Sequence, residues 1–332
     1  MPWDSVPWFT EGEAEHSSEV ARLLAYAAFG GSEGIIGNAD LQVKALGTPG
    51  AGVRAMTGAC AILNRAPGSA YQAYAARLPA ADQISVAATG NSARSDLIVA
   101  RIENPNSYGE TWPQPSDPAN GPYVFTRIIS GVARTTTKVK QVRPNDSAIT
   151  LARIDIPENT SVITQSMIKD LREMANPRRR RVVRALRGVW ENPDEVGNTI
   201  YPNWEEFPNG ARWGLDIPDW ATSATIMATW AGLDQRNPRD SYGHLRAVIG
   251  DVATPITNYN CDWSGSAQRF TFMGGGTVSI PASMRGGNHD VVLQGCRAEN
   301  ASLGTGVLEA DGGASIFCDI EFVEDPTEDG EI

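Results

Sequence analysis

Apolar and polar positions alternate with a period of two through much of this chain, the pattern of half-buried strands. Two stretches carry it most plainly and echo each other: Ser95-Asp-Leu-Ile-Val-Ala-Arg-Ile-Glu-Asn-Pro105 and Ser147-Ala-Ile-Thr-Leu-Ala-Arg-Ile-Asp-Ile-Pro157. In the first, Leu97, Val99 and Arg101 fall on one face, and Ile98, Ala100 and Ile102 on the other. A proline ends each ladder by withholding an N–H. The same pattern, cut by turn signals, predicts strands over Leu41–Leu46, Val53–Leu63, Ala70–Arg77, Ile84–Thr89, Asp96–Glu103, Val124–Ser130 and Ala148–Ile156. The Pro-rich stretch Tyr108–Pro122 is a long loop within this series.

The period changes at two places. Val20, Leu23, Leu24, Ala27 and Ala28 recur at helical spacing behind Ser17 and Ser18, which suit an N-cap, and Gly30-Gly31 close that helix. Met167, Ile168 and Leu171 predict a second, short helix over Met167–Ala175. Beyond Asn176-Pro177 the alternation lapses into a segment rich in Arg, Pro and Trp. It resumes over Trp213–Ile217, Ser223–Ala231, His244–Ile249, Arg269–Met273, Thr277–Ile280, Asp290–Arg297, Gly306–Glu309 and Ser315–Phe322. Strands at that spacing suit a sandwich. The expected fold is mainly β with a few short helices. An N-terminal α+β or β domain (1–176) precedes a basic, Pro- and Trp-containing linker (177–209). A C-terminal jelly-roll-like β-sandwich (210–325) and an acidic tail (326–332) follow.

A length of 332 residues suits two domains with separate cores. No apolar run is long enough to span a bilayer, so no membrane insertion is expected. Met-Pro-Trp-Asp lacks the basic and apolar regions of a signal peptide, so a chain made and folded in the cytoplasm is expected. A net charge of −11 argues against nucleic-acid binding, which needs a basic face. Cys60, Cys261, Cys296 and Cys318 show no paired spacing and only three histidines accompany them, which predicts buried thiols with no metal and no cofactor. Across a sandwich, a pairing of Cys261 with Cys296 or Cys318 stays open.

Candidate chemistry is sparse. Gly30-Gly-Ser32-Glu-Gly34 matches the nucleophile elbow of hydrolases, but a helix precedes it where the elbow needs a strand, so it reads as a turn. Asp251, Asp262, Asp290, Asp311 and Asp319 are scattered without the signature of an acid pair. Asp311-Gly312-Gly313 is a turn signal before a strand. No catalytic residue is assigned, and the chain is expected not to be an enzyme. Trp220 and Trp263 sit beside turns and are candidates for stacking on sugar rings, whereas Trp213 and Trp230 lie within strands and read as core. Arg178, Arg179, Arg180 and Arg181, with Arg184 and Arg187, interleave with Val182, Val183, Ala185, Leu186 and Val189, a pattern for a strand or helix packed on a partner. Trp3, Trp8 and Phe9 make the first residues too apolar for a free tail and are candidates for assembly contacts.

Several motifs together resemble the minor tail and baseplate tail-tip proteins of siphophages, in particular those of actinobacteriophage type. They are Pro7-Trp8-Phe9, Glu15–Phe29, Ser95–Arg101, Gly121–Phe125, Leu151–Pro157, Met167–Arg172, Ile217-Pro-Asp-Trp220 and Val278-Ser-Ile-Pro281. The resemblance implies a structural protein of the virion that docks on the tail tip through its N-terminal domain. It would then project a sandwich toward the host as a homotrimer beside other tail-tip proteins. It also leaves two alternatives: a tail-associated enzyme acting on host wall glycan, or an adaptor for another receptor-binding protein. On that reading, contact with host cell-wall glycan falls on sandwich turns, at Trp220 and Trp263 and in the Met284–His289 loop with Arg285, Asn288 and His289.

Overall fold

The computed structural model of the chain describes residues 17–48, 50–196, 199–236, 238–299 and 306–326. They fall into two units, one reaching to Pro177 and one spanning Arg178–Glu324. The architecture is mainly β with a few short helices, as the alternation predicts. Trp3, Trp8 and Phe9 lie outside the described residues.

The first unit holds α1 (Ser18–Ala28) and the strands β1 (Gly34–Ile35), β2 (Val43–Ala45), β3 (Gly52–Ala55), β4 (Gly58–Leu63) and β5 (Ala73–Leu78). It continues with β6 (Asp82–Ser85), β7 (Arg94–Ile102), β8 (Val124–Val132), β9 (Ala148–Ile156) and β10 (Ile168–Asp170). They form sheets ordered β1-β4-β5, β2-β3-β6 and β10-β9-β7-β8. The two echoing stretches are β7 and β9, antiparallel neighbours with Asp96 opposite Ile154. Their alternation is buried on both sides. Ile98 and Ile102 join Ile35, Leu41, Ile62 and Leu151 in one core. Leu97 and Val99 pack with Ile129, Val139 and Ala148 on the other face. Asp96, fully buried, is neutralised by Arg94 at 2.9 Å and accepts a hydrogen bond from the Gly131 amide at 3.0 Å.

Ser17 caps α1 by accepting from the Glu19 amide at 3.1 Å, and Gly30 and Gly31 leave the helix at positive φ. The helix is seated by its polar side. Arg22 donates to Gln72 at 2.6 Å, and Tyr26 meets Tyr71 edge-on at 5.6 Å. Leu23, Leu24, Ala27 and Ala28, four of the five residues of the expected core stripe, are exposed. The helix expected over Met167–Ala175 does not form. A single 3-10 turn at Gln165–Met167 leads into β10, where Ile168 pairs with Ile154 of β9. An open sheet edge offers these few residues more hydrogen bonds than a helix too short to sustain itself.

The second unit is a β-sandwich. Its strands are β11 (Arg179–Arg187), β12 (Asp194–Val196), β13 (Glu205–Glu206), β14 (Arg212–Asp216), β15 (Ser223–Gln235) and β16 (Ser241–Ile249). They continue as β17 (Val252–Ala253), β18 (Thr257–Cys261), β19 (Gln268–Ser279), β20 (Asn288–Arg297), β21 (Leu308–Ala310) and β22 (Ser315–Val323). In one sheet β15 lies between β22 and β19, and β11 is the outermost strand beyond β22. The facing sheet places β20 and β16 side by side, flanked by β13 and β14 on one side and by β17 and β18 on the other. Ile226, Trp230, Leu245, Tyr259, Leu293, Ile320 and Phe322 fill the space between. Trp230 is fully buried and its indole N–H donates to the Phe207 carbonyl at 3.2 Å. The stretch read as a linker contributes β11, β12 and β13 to this unit.

All four cysteines are buried and free, so the pairing of Cys261 with Cys296 or Cys318 does not occur. Burial pushes the thiols of Cys60, Cys261 and Cys318 up to about 12 and that of Cys296 up to about 11.

Candidate functional site

The residues expected to touch a host surface do not converge. Trp263 follows β18, where Cys261 pairs with the first residue of β16, Ser241. Asn288 and His289 open β20, which runs beside β16 so that Val291 meets Ile249, the last residue of β16. Nine strand residues at about 3.3 Å each separate the two groups, which occupy opposite ends of the sandwich. Trp263 and Arg285 therefore do not line one pocket. Trp263 is half-buried and its amide donates to Asp240 at 2.8 Å. Arg285 is held by the Ile280 carbonyl at 3.1 Å, and Asn288 donates to Asp216 at 2.8 Å. Trp220 packs against the core with the Arg178 guanidinium 5.4 Å from its ring centre.

Of the scattered carboxylates, Asp311 and Asp319 are held ionised by arginine. Asp311 is buried and accepts from Arg269 through two bonds of 2.8 Å, from Arg236 at 2.8 Å and from the Gly313 amide at 2.9 Å. The Arg269 hydrogen bonds hold its carboxyl below the usual aspartate range. Asp319 is lowered by Arg181 in the same way. Asp290 pairs with Arg212 at 2.9 Å, and Asp262 accepts from the Tyr242 hydroxyl at 2.6 Å. Asp311 and Asp319, held ionised by arginine, suit ion pairing and not the role of the protonated acid of a glycosidase. Among the described residues no group of three His, Cys, Asp or Glu side chains is placed to hold a metal ion.

In the first unit a cleft of about 450 Å³ opens between β4 and β5 on one side and β8 on the other. Leu41, Cys60, Leu78, Ile84 and Phe125 give it an apolar floor, and Arg77, Asp82 and Arg127 supply the charge among its lining residues.

The surface that stands out is the outer face of the sheet formed by β11, β22, β15 and β19. Strand register aligns Met273, Thr229, Phe317 and Ala185 in one row across the four strands. The next row runs Gly275, Met227, Asp319 and Val183. Met273 is 64% exposed, Val183 53%, Phe317 46% and Met227 41%. Thr225 and Thr277, linked at 2.8 Å, and Arg181 form the row beyond, and Arg181 pairs with Asp319, which sits between Met227 and Val183. The outer strand β11 carries Arg179, Arg180, Arg181, Arg184 and Arg187. Arg178, just before it, pairs with Glu324 at 2.7 Å, and Arg179 lies 3.7 Å from Glu321. Among the described residues, Arg180 and Arg184 donate only to the carbonyls of Asp216 and Val183, at 3.2 and 3.3 Å. The apolar patch escaped the sequence reading because β15 and β22 carry apolar residues at both parities, which reads as core.

No family model matches the chain, and no curated protein matches it. Solved structures similar to it include that of the infectious bursal disease virus Gx strain, at 12% identity and a TM-score of 0.28, covering 88% of this chain and 67% of that one. Another is the VP2 subviral particle of infectious bursal disease virus, at 11% identity and a TM-score of 0.28, covering 87% and 69%. The expectation of a siphophage minor tail protein docked at a tail tip or baseplate is corrected: no family model and no curated protein supports it. The infectious bursal disease virus structures are particles of an icosahedral virus, not tails. The location in a phage tail, the host-attachment role and the tail enzyme or adaptor alternatives are withdrawn with it. At such TM-scores the likeness says nothing of what this chain does.

Proposed function

We propose that this chain is a non-enzymatic structural protein that self-associates as a homotrimer, with the outer sheet face of its second unit against a neighbouring copy. The observation that carries this is the exposure of Met273, Phe317, Met227 and Val183 on one face of the sheet, beside the Arg181–Asp319 ion pair. An exposed cluster of this kind on ordered strands costs solubility unless a partner covers it. A charged margin around an apolar centre is the usual anatomy of such a contact. The fixed carboxylates support a structural over a catalytic role, and the acidic balance disfavours nucleic acid as the partner. No described helix is long and apolar enough to cross a membrane. Light scattering and sedimentation of the full chain at micromolar concentration test the reading. A trimer is expected, and Met273→Glu with Phe317→Glu should return it to monomer without lowering the melting temperature. A monomeric wild-type chain, or a double variant that still assembles, refutes it.

A further inference from the structure

We infer that the cleft of the first unit binds a small anionic amphiphile, a medium-chain carboxylate whose chain lies on the core and whose head meets Arg77. The site belongs to the first unit alone and owes nothing to the assembly surface of the second. Three strands border the cleft, β5, β6 and β8, and each is the outermost strand of its own sheet. Between these three edges the core is left open. Leu41, Cys60, Ala100 and Leu151 belong to that core and also line the cleft. Leu78, Ile84 and Phe125, each half-buried, wall it, and the polar Gln83 and Ser85 are exposed at its mouth. Its volume of about 450 Å³ falls among those of ligand pockets, which combine an apolar lining with a few polar groups. Water on such a floor finds few hydrogen-bond partners, and a hydrocarbon chain displaces it favourably.

The charges around the cleft select the head group. Arg127 donates to Glu103 through bonds of 2.8 and 2.9 Å, and its guanidinium lies 4.1 Å from the centre of the Phe125 ring. Hydrogen bonding to Glu103, and after it the charges of Glu103 and Asp82, push the Arg127 pKa up. Arg127 and Asp82 are thereby balanced within the protein. Arg77 is exposed, lines the same cleft, and pairs with no carboxylate among the described residues. A guanidinium without a carboxylate, beside an apolar floor, fits an anion carried at the end of a hydrocarbon chain. A cationic head would be repelled by Arg77 and Arg127 together, and a neutral one would leave the Arg77 charge unused.

Isothermal titration calorimetry of the full chain with sodium decanoate tests the site. One molecule should bind per chain with a Kd of about 100 µM or tighter. Sodium octanoate, two methylenes shorter, should bind about 15-fold more weakly. Arg77→Gln should weaken both by about 3- to 5-fold and leave the ratio between them unchanged, because it touches only the head. Ala76→Phe fills the cleft from β5 and should weaken decanoate by about 10-fold or more. Val124→Trp crowds the exposed mouth with the same expected effect, and it decides the matter if circular dichroism shows the Ala76 variant unfolded. No binding, several molecules per chain, or undiminished affinity in the folded bulky variants overturns the inference. Undiminished affinity in Arg77→Gln removes the head contact and overturns it as well. Titrations at about 5 and about 50 µM chain expose a competing occupant. Affinity that falls as the chain assembles would give the cleft to a side chain of a neighbouring copy, which also overturns the inference.

Discussion

Asp311→Asn tests whether the buried carboxylate holds the second unit together. Asp311 sits between β21 and β22 with 1% of its surface exposed. It receives three guanidinium bonds, from Arg269 and Arg236, and one backbone bond from Gly313 that shapes the Asp-Gly-Gly turn. Asparagine keeps one acceptor oxygen for Gly313 and a single guanidinium, but turns an N–H₂ toward the rest. Two charge-assisted bonds are lost, each about 1.5–3 kcal/mol. Arg269 and Arg236 are 39% and 53% exposed and Asp234 remains beside them, so water and that neighbour recover part of the loss. The net cost is about 2–3 kcal/mol, or a fall of about 5–10 °C in melting temperature for a unit of this size. Tryptophan fluorescence during urea unfolding reports it, because six of the nine tryptophans lie in this unit. The pH dependence has a definite sign. The native carboxyl is depressed, so its contribution is fully present above the unfolded aspartate value of about 3.9 and is lost as pH falls through the native value. The gap between wild type and variant should therefore close in acid. A cost below about 0.5 kcal/mol at pH 7, or a gap that widens in acid, refutes the reasoning.

Two further outcomes follow from the packing. Gly243→Ala places a Cβ 2.2 Å from the Cys296 carbonyl oxygen and 2.4 Å from the Tyr259 hydroxyl, so it should destabilise the second unit by about 3 kcal/mol in the same unfolding assay. A thiol-specific reagent at pH 8 should leave Cys60, Cys261, Cys296 and Cys318 unmodified in the native chain and label all four in denaturant, because burial keeps them protonated.

The strands of both units are legible wherever one parity is apolar and the other is not. β16 shows this, with Leu245, Ala247 and Ile249 inward and His244, Arg246 and Val248 toward the surface. The echo of β7 and β9 is a product of their pairing, since neighbours buried on both faces need similar side chains. Where the sequence misleads, a competing interaction wins. Met167, Ile168 and Leu171 suit either a helix or a strand, and the open edge of β9 selects the strand. The stripe on α1 reports an amphipathic helix correctly but not its orientation, because Arg22 and Tyr26 seat the polar side on β5. The candidate contact residues were chosen by proximity to turns. That criterion ignores which end of the sandwich a turn occupies, and it separates Trp263 from Arg285 by the length of β16.

The distribution of charge, more than its total, argues for assembly. A chain of net charge −11 places five arginines in nine consecutive residues of one outer strand. Intramolecular pairing accounts for Arg179 and Arg181 through Glu321 and Asp319 on β22. Arg180 and Arg184 point to the opposite face of the strand from those acids and receive no carboxylate among the described residues. A basic edge is repelled by the same edge of a second copy. Salt should weaken any association through it because the strand is exposed. The apolar patch alongside is insensitive to salt, so an assembly using both should lose only part of its strength between 0.05 and 0.5 M NaCl. Complete loss over that range would assign the contact to the arginine edge alone, and no loss to Met273, Phe317 and their neighbours.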